Sequence, residues 1–335
     1  DSRIAFLYAR DIDKCPRNDT REAACKDPEW VYWYALEVDK CPRDDTREAI
    51  YKDLFFIYYY AKNIDKCPRE DTRKVACTNS HSAYLYALKI DKCPQKDTRK
   101  ASCKKPEYAY LYAKNIDKKP HEDTRKTACK NLYYALYYAR NIDKCPHEDT
   151  RKVACKSPEY AYSYAVEIDK CPRDDTRNAA CKDPEYAYKY AENVDYYSSK
   201  VTREGVCKDP YYAYHYTVNF DYGDTKLYED TRKAACKDPE WGYHFARYID
   251  EMPRDDTRIS ACLDPYFAFS YAFYVDKESR EDTRKATCEN PEWAYCYALE
   301  IDKCYHEDIY NALKNTEYEE KYEAFLNELE KEKII

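Results

Sequence analysis

Glycine is nearly absent, with three residues in 335. Tight turns and bulges draw on glycine, so a β-rich or loop-rich fold does not fit. A glycine-rich phosphate loop is excluded on the same ground. No apolar run approaches the ~20 residues that a membrane-spanning helix needs. There is no excess of basic charge either. Lys and Arg total 57 against 64 Asp and Glu, a net charge of -7. A sequence-independent grip on nucleic acid requires a basic face, so nucleic acid is not an expected partner. No Cys-x-x-Cys or Cys-x-x-His cluster offers a zinc site. The six histidines, His81, His121, His147, His215, His244 and His306, are scattered over variable positions and suggest no nucleophile–base pair. No metal, cofactor or catalytic residue is therefore expected, and the chain reads as a non-enzyme. No signal peptide is visible, and because the chain opens at Asp1 without Met an N-terminal piece is expected to be missing or processed.

What the chain has in abundance is tyrosine (41) and cysteine (18), placed in columns. The triplet Asp-Thr-Arg begins at Asp19, Asp45, Asp71, Asp97, Asp123, Asp149 and Asp175, every 26 residues. It continues as Val201-Thr202-Arg203 and resumes at Asp230, Asp256 and Asp282 after a three-residue insertion near Tyr222–Tyr228. A twelfth copy decays to Asp308-Ile309-Tyr310. Periods of this length signal stacked helical repeats. The expected fold is all-α: a right-handed α-solenoid of about twelve two-helix repeats over residues 1–310, followed by a C-terminal amphipathic helix in 311–335.

One unit shows why. Asp27 suits an N-cap, Pro28 the first helical position and Glu29 the positive end of the dipole. Helix A is expected over 28–38. Pro42 is expected to open helix B in the same way, ending near Lys52. Helices of about 11 residues are unstable alone and need burial by neighbours. On a helical wheel Trp30, Val31, Tyr34, Ala35 and Val38 share one arc and form the expected core. The Tyr34 column departs from Tyr only at Phe245, and the Ala35 column from Ala only at Thr217. The Tyr32 column is expected to pack between repeats with its hydroxyl reaching water.

Two charged columns recur as faithfully. Asp closes every helix A, and Arg lies in helix B of eleven units, from Arg21 to Arg284. A structural ladder of ion pairs is expected, with Asp39, Arg47, Asp65, Arg73, Asp91 and Arg99 as members. The alternative makes the Arg and Tyr columns an anion or nucleic-acid track. Seventeen cysteines fall in two columns, typified by Cys15 and Cys25. Both are present in only five units, no more often than independent scatter gives. Free thiols acting as small buried hydrophobes are therefore expected, which points to a reducing compartment.

The column opposite the core reads Leu7, Trp33, Tyr59, Leu85, Leu111 and Tyr137 before turning polar at Ser163. Six apolar residues in line on a solvated face would be a partner-binding surface. Curvature that buries the column is the competing explanation. The chain opens at Asp1, a helix A cap position, so an upstream segment or another subunit is expected to cover Ile4, Phe6 and Tyr8. In the terminal segment Tyr318, Tyr322, Phe325, Leu326 and Leu329 recur at helical spacing, as expected of a capping helix or a docking one.

The motif Lys-Asp-Pro-Glu-Trp/Tyr-Ala-Tyr-x-Tyr-Ala, as in Lys182–Ala191 and, with Gly242 for the first Ala and Phe245 for the second Tyr, in Lys237–Ala246, resembles a tandem repeat of similar length in proteins of tailed phages and other large DNA viruses. The likeness covers helix A of most units; the Asp-Thr-Arg triplet and the Cys columns depart from it. The resemblance implies a helical repeat and a viral origin; the expected location is cytoplasmic or virion-associated, with secretion left open by the Asp1 start. It assigns no activity. The functional expectation is a structural or protein-binding scaffold with a protein partner or self-association.

Overall fold

The computed structural model describes residues 1–221, 223 and 228–332. Most of the insertion near Tyr222–Tyr228 and the last three residues lie outside the described residues. Among the described residues the chain is all-helical and has no strand. Twelve repeats of helix A and helix B are followed by a last helix, Glu319–Glu332. The architecture is an α-solenoid of short repeats. The chain divides into two compact units, Asp1–Lys156 with Glu167–Asp169, and Ser157–Val166 with Lys170–Ile335.

Helix A of the second repeat begins at Pro28, and Asp27 caps it by accepting the Glu29 N–H at 2.9 Å. It runs as α-helix to Tyr34 and then widens into a π turn, Ala35–Asp39. Lys40 closes that turn by donating its N–H to the Ala35 carbonyl at 3.0 Å from a left-handed conformation, φ 54°. Every helix A ends in such a π turn on its Asp. Where helices commonly use Gly for the left-handed residue, this chain uses Lys at nine positions, with Tyr196 and Glu251 at two others. A side chain in that region costs roughly 1–2 kcal/mol, so the tertiary contacts around it must hold it there.

Helix B differs from its sequence expectation. It spans Asp44–Ile50, seven residues, and Pro42 stays outside it. The cause is a contact from the next repeat. Arg43 is extended (φ -132°, ψ 151°), with its N–H and carbonyl both engaged by the Tyr60 hydroxyl at 3.2 Å. A residue held there cannot be helical, so the helix starts one residue later.

The core is the arc of helix A. Val31, Tyr34 and Ala35 are fully buried, and Trp30 is half-buried. Helices A and B of one repeat approach most closely where small residues meet. At Gly242 a Cβ would lie 2.4 Å from the Ser260 hydroxyl oxygen.

The last helix sits on the twelfth repeat as a thirteenth helix A would. Tyr322 is fully buried in the same role as the Tyr34 column, and its hydroxyl accepts the His306 N–H at 3.3 Å. Phe325 and Leu326 pack on the core around Ile309 and Leu313. Glu323 follows Tyr322 where other repeats place a buried Ala, and it is exposed.

Candidate functional site

The repeat-to-repeat joints come first, because they determine which side chains remain free. The Tyr34 hydroxyl enters the N-terminus of the preceding helix B. It donates to the Arg17 carbonyl at 3.1 Å, accepts the Arg17 N–H at 3.1 Å and meets the Thr20 hydroxyl at 2.9 Å. The same clasp joins Tyr60 to Thr46, Tyr112 to Thr98, Tyr190 to Thr176 and Tyr271 to Thr257. The Thr of Asp-Thr-Arg is thus a buried joint. Burial pushes the Tyr60 phenol up, with the Thr46 hydrogen bond opposing it.

The single Phe in this column has a matching substitution. Phe245 brings no hydroxyl to Thr231, and Thr217, the single exception in the Ala35 column, reaches Thr231 at 2.6 Å instead. Tyr228 is buried beside Phe245 with ring centroids 5.6 Å apart.

The ion pairs link helix B to helix A of the following repeat. Arg21 grips Asp39 at 2.9 Å, Arg47 holds Asp65 at 2.8 Å, Arg73 holds Asp91 at 3.1 Å and Arg99 holds Asp117 at 2.6 Å. Asp39 and Arg47, which share a repeat, serve different neighbours. Burial raises the Asp91 carboxyl, and the Arg73 guanidinium only partly offsets this. In three later repeats the Arg turns to a second carboxylate. Arg232 binds Asp256 at 3.0 Å, Arg258 binds Asp282 at 2.8 Å and Arg284 binds Asp308 at 2.9 Å. Asp250, Asp276 and Asp302 remain buried with raised carboxyl pKa values, burial being the largest cause.

The outer side of helix A carries the apolar column. Tyr32 is buried and packs at a tilt against Phe56 of the next repeat, centroids 5.7 Å apart. Its hydroxyl does not end in water: it accepts from Asn63 at 2.8 Å, as Tyr84 does from Asn115 and Tyr110 from Asn141. Trp33 is exposed at 36%. Leu7, Tyr59, Leu85, Leu111 and Tyr137 are half-buried, flanking the Tyr32 column. The column is thus neither a free stripe nor core.

Clefts open along it. Leu54, Phe55, Tyr58 and Tyr59 of one helix A and His81, Ser82 and Leu85 of the next line a cleft of about 290 Å³. Another, of about 320 Å³, lies between Arg3, Leu7 and Arg10 and the pair Trp30 and Trp33. Phe55 is 60% exposed, a large apolar side chain at a cleft wall. It stands where Glu29 stands one repeat earlier, as do Tyr133 and Tyr211 further along. Sequence reasoning missed this column because Glu is its commonest residue; the apolar exceptions were the signal.

At the start of the chain Ile4 (63%) and Tyr8 (51%) are exposed, whereas Phe6 is buried against Trp30. All 18 cysteines are free thiols. Those of the Cys25 column are mostly half-buried, and burial pushes the Cys25 and Cys77 thiols up to about 11 and Cys181 to about 12. The Cys15 column corrects the buried-hydrophobe expectation: Cys15, Cys41, Cys67, Cys93, Cys145 and Cys171 are exposed in the loop after the π turn. The left-handed Lys turns the chain outward there. No group of His, Cys, Asp and Glu among the described residues could hold a metal ion. No helix among the described residues is long and apolar enough to cross a membrane. No protein-family model, curated protein or solved structure matches the chain.

Proposed function

We propose that the chain is a non-enzymatic scaffold that binds protein along the outer face of helix A in the first compact unit. The observation that carries this reading is the cleft between Phe55, Tyr59 and Leu85, with the exposed Phe55 ring as one wall beside the Leu7–Tyr137 column. Aromatic pockets of this kind receive the apolar anchor side chains that dominate binding energy at protein interfaces. The scaffold behind the face is rigid, because each repeat is clasped to the next by a buried Tyr–Thr joint and an Arg–Asp pair. The anion-track reading is weakened by the same pairs, since the Arg column already faces carboxylates.

Selection from a displayed random-peptide library tests the proposal. The native chain should enrich peptides sharing one or two apolar anchors, and Trp33→Ser/Phe55→Ser should lose them. Enrichment of acidic peptides with strong salt dependence, or apolar peptides retained by the variant, would contradict it.

A further inference from the structure

The loop after the last π turn, Ala298–Asp302, carries Lys303, Cys304, Tyr305 and His306. Cys304 belongs to the column of Cys15, Cys41, Cys67 and Cys171. In those four repeats the residue two places on is Arg; here it is His306, as it is His147 after Cys145. The His306 Nε2 lies 3.4 Å from the Cys304 Sγ. His306 is held from behind by its backbone N–H, which donates to the Tyr322 hydroxyl. Asp302 faces the same ring nitrogen that the sulfur faces. Its side chain is fully buried, neither carboxylate oxygen has a hydrogen-bond partner among the described residues, and Oδ1 is 3.7 Å from Nε2. Arg284, the ladder partner of Asp302, is 3.9 Å away and binds Asp308 instead. Beside the sulfur is a cavity of about 190 Å³ lined by Tyr305, Leu326, Leu329 and Glu330. Two leucines of the last helix make an apolar wall, and the Glu330 carboxylate disfavours anions.

A thiol within hydrogen-bond reach of a histidine base is the arrangement that activates cysteine. We propose that Cys304 is a covalent modification site for neutral, apolar α,β-unsaturated carbonyl compounds, with His306 as its base and the Asp302 carboxylate beside the nitrogen that takes the proton. The thiol proton passes to His306 Nε2. The sulfur electron pair forms an S–C bond to the β-carbon, and the C=C π pair shifts to give the enolate. His306 then returns the proton to the α-carbon. Nothing leaves, and neither oxidant nor reductant is needed.

The experiment treats the reduced full chain with cyclohex-2-enone and follows each cysteine by peptide mass spectrometry, with Cys41 as internal reference. Cys304 should react at least about tenfold faster than Cys41 at neutral pH. His306→Gln should bring the ratio to about one while leaving the Cys41 rate and the helical circular dichroism unchanged, and Asp302→Asn should lower it. A second readout needs no variant: as pH falls from 8 to 6 the Cys304 rate should decline less steeply than the Cys41 rate. Equal rates at the two cysteines, a ratio unaffected by His306→Gln, or parallel pH profiles would each overturn the assignment.

Discussion

The tyrosine that ends the α-helical part of helix A acts through its last atom. In Tyr86 the ring fills the core, and the hydroxyl satisfies the Arg69 N–H and carbonyl together with the Thr72 hydroxyl. Tyr86→Phe keeps the ring and strands these groups, so it should cost about 1–3 kcal/mol in urea unfolding. Thr217→Ala should likewise destabilise, by about 1 kcal/mol, because it removes the hydroxyl that donates to Thr231 where Phe245 brings none, leaving Thr231 only its bond to the Tyr228 carbonyl. The columns themselves were plain in the sequence, and so were their two exceptions. That the exceptions compensate one another was not legible, because the residues lie 28 positions apart and meet only through Thr231.

Elements show where tertiary structure overrides local signals. Asp27 and Pro28 place the start of helix A correctly, since the cap is local. Pro42 misleads, because the Tyr60 hydroxyl fixes Arg43 in an extended conformation. The π turn has no sequence signature in glycine at all; its left-handed residue is Lys. Close helix crossing explains another exception: Gly242→Ala would press a methyl group into Ser260 and should cost about 1–3 kcal/mol. Helix A of two repeats also carries a local pH response. His215 and His244 pack with Trp241, at ring distances of 5.5 and 5.6 Å, and burial lowers both imidazoles from the ordinary 6.5. The unfolded chain then binds protons more readily than the folded one. Stability from these groups is full above 6.5 and is lost as pH falls toward the folded values. The urea midpoint should therefore drop less between pH 7 and pH 5 in His215→Gln/His244→Gln than in the native chain.

At the scale of the whole molecule the same joints recur in both compact units, but the Arg–Asp ladder differs between repeats. Asp65 is gripped by Arg47, whereas Asp276 lies 3.4 Å from an Arg258 whose Nε is turned to Asp282. Asp65→Asn removes one partner of a buried pair and should cost about 3 kcal/mol or more. Asp276→Asn should cost well under half of that, and parity between the two in urea unfolding would refute the difference. The repeat architecture was legible because each unit repeats its caps and core arc. The candidate site was legible only as a column of apolar residues. Its clefts depend on Phe55 and His81, which stand outside that column and become walls only when adjacent repeats are placed side by side.

The central claim is that the binding face and the joints holding the fold are separate sets of side chains. The most direct test is the urea unfolding midpoint of Trp33→Ser/Phe55→Ser beside that of the native chain. Phe55 is 60% exposed and Trp33 36%, so the variant should keep a single cooperative transition near the native midpoint while peptide binding is lost. A large drop would show that these aromatics hold the repeats together, and the face would then be part of the core.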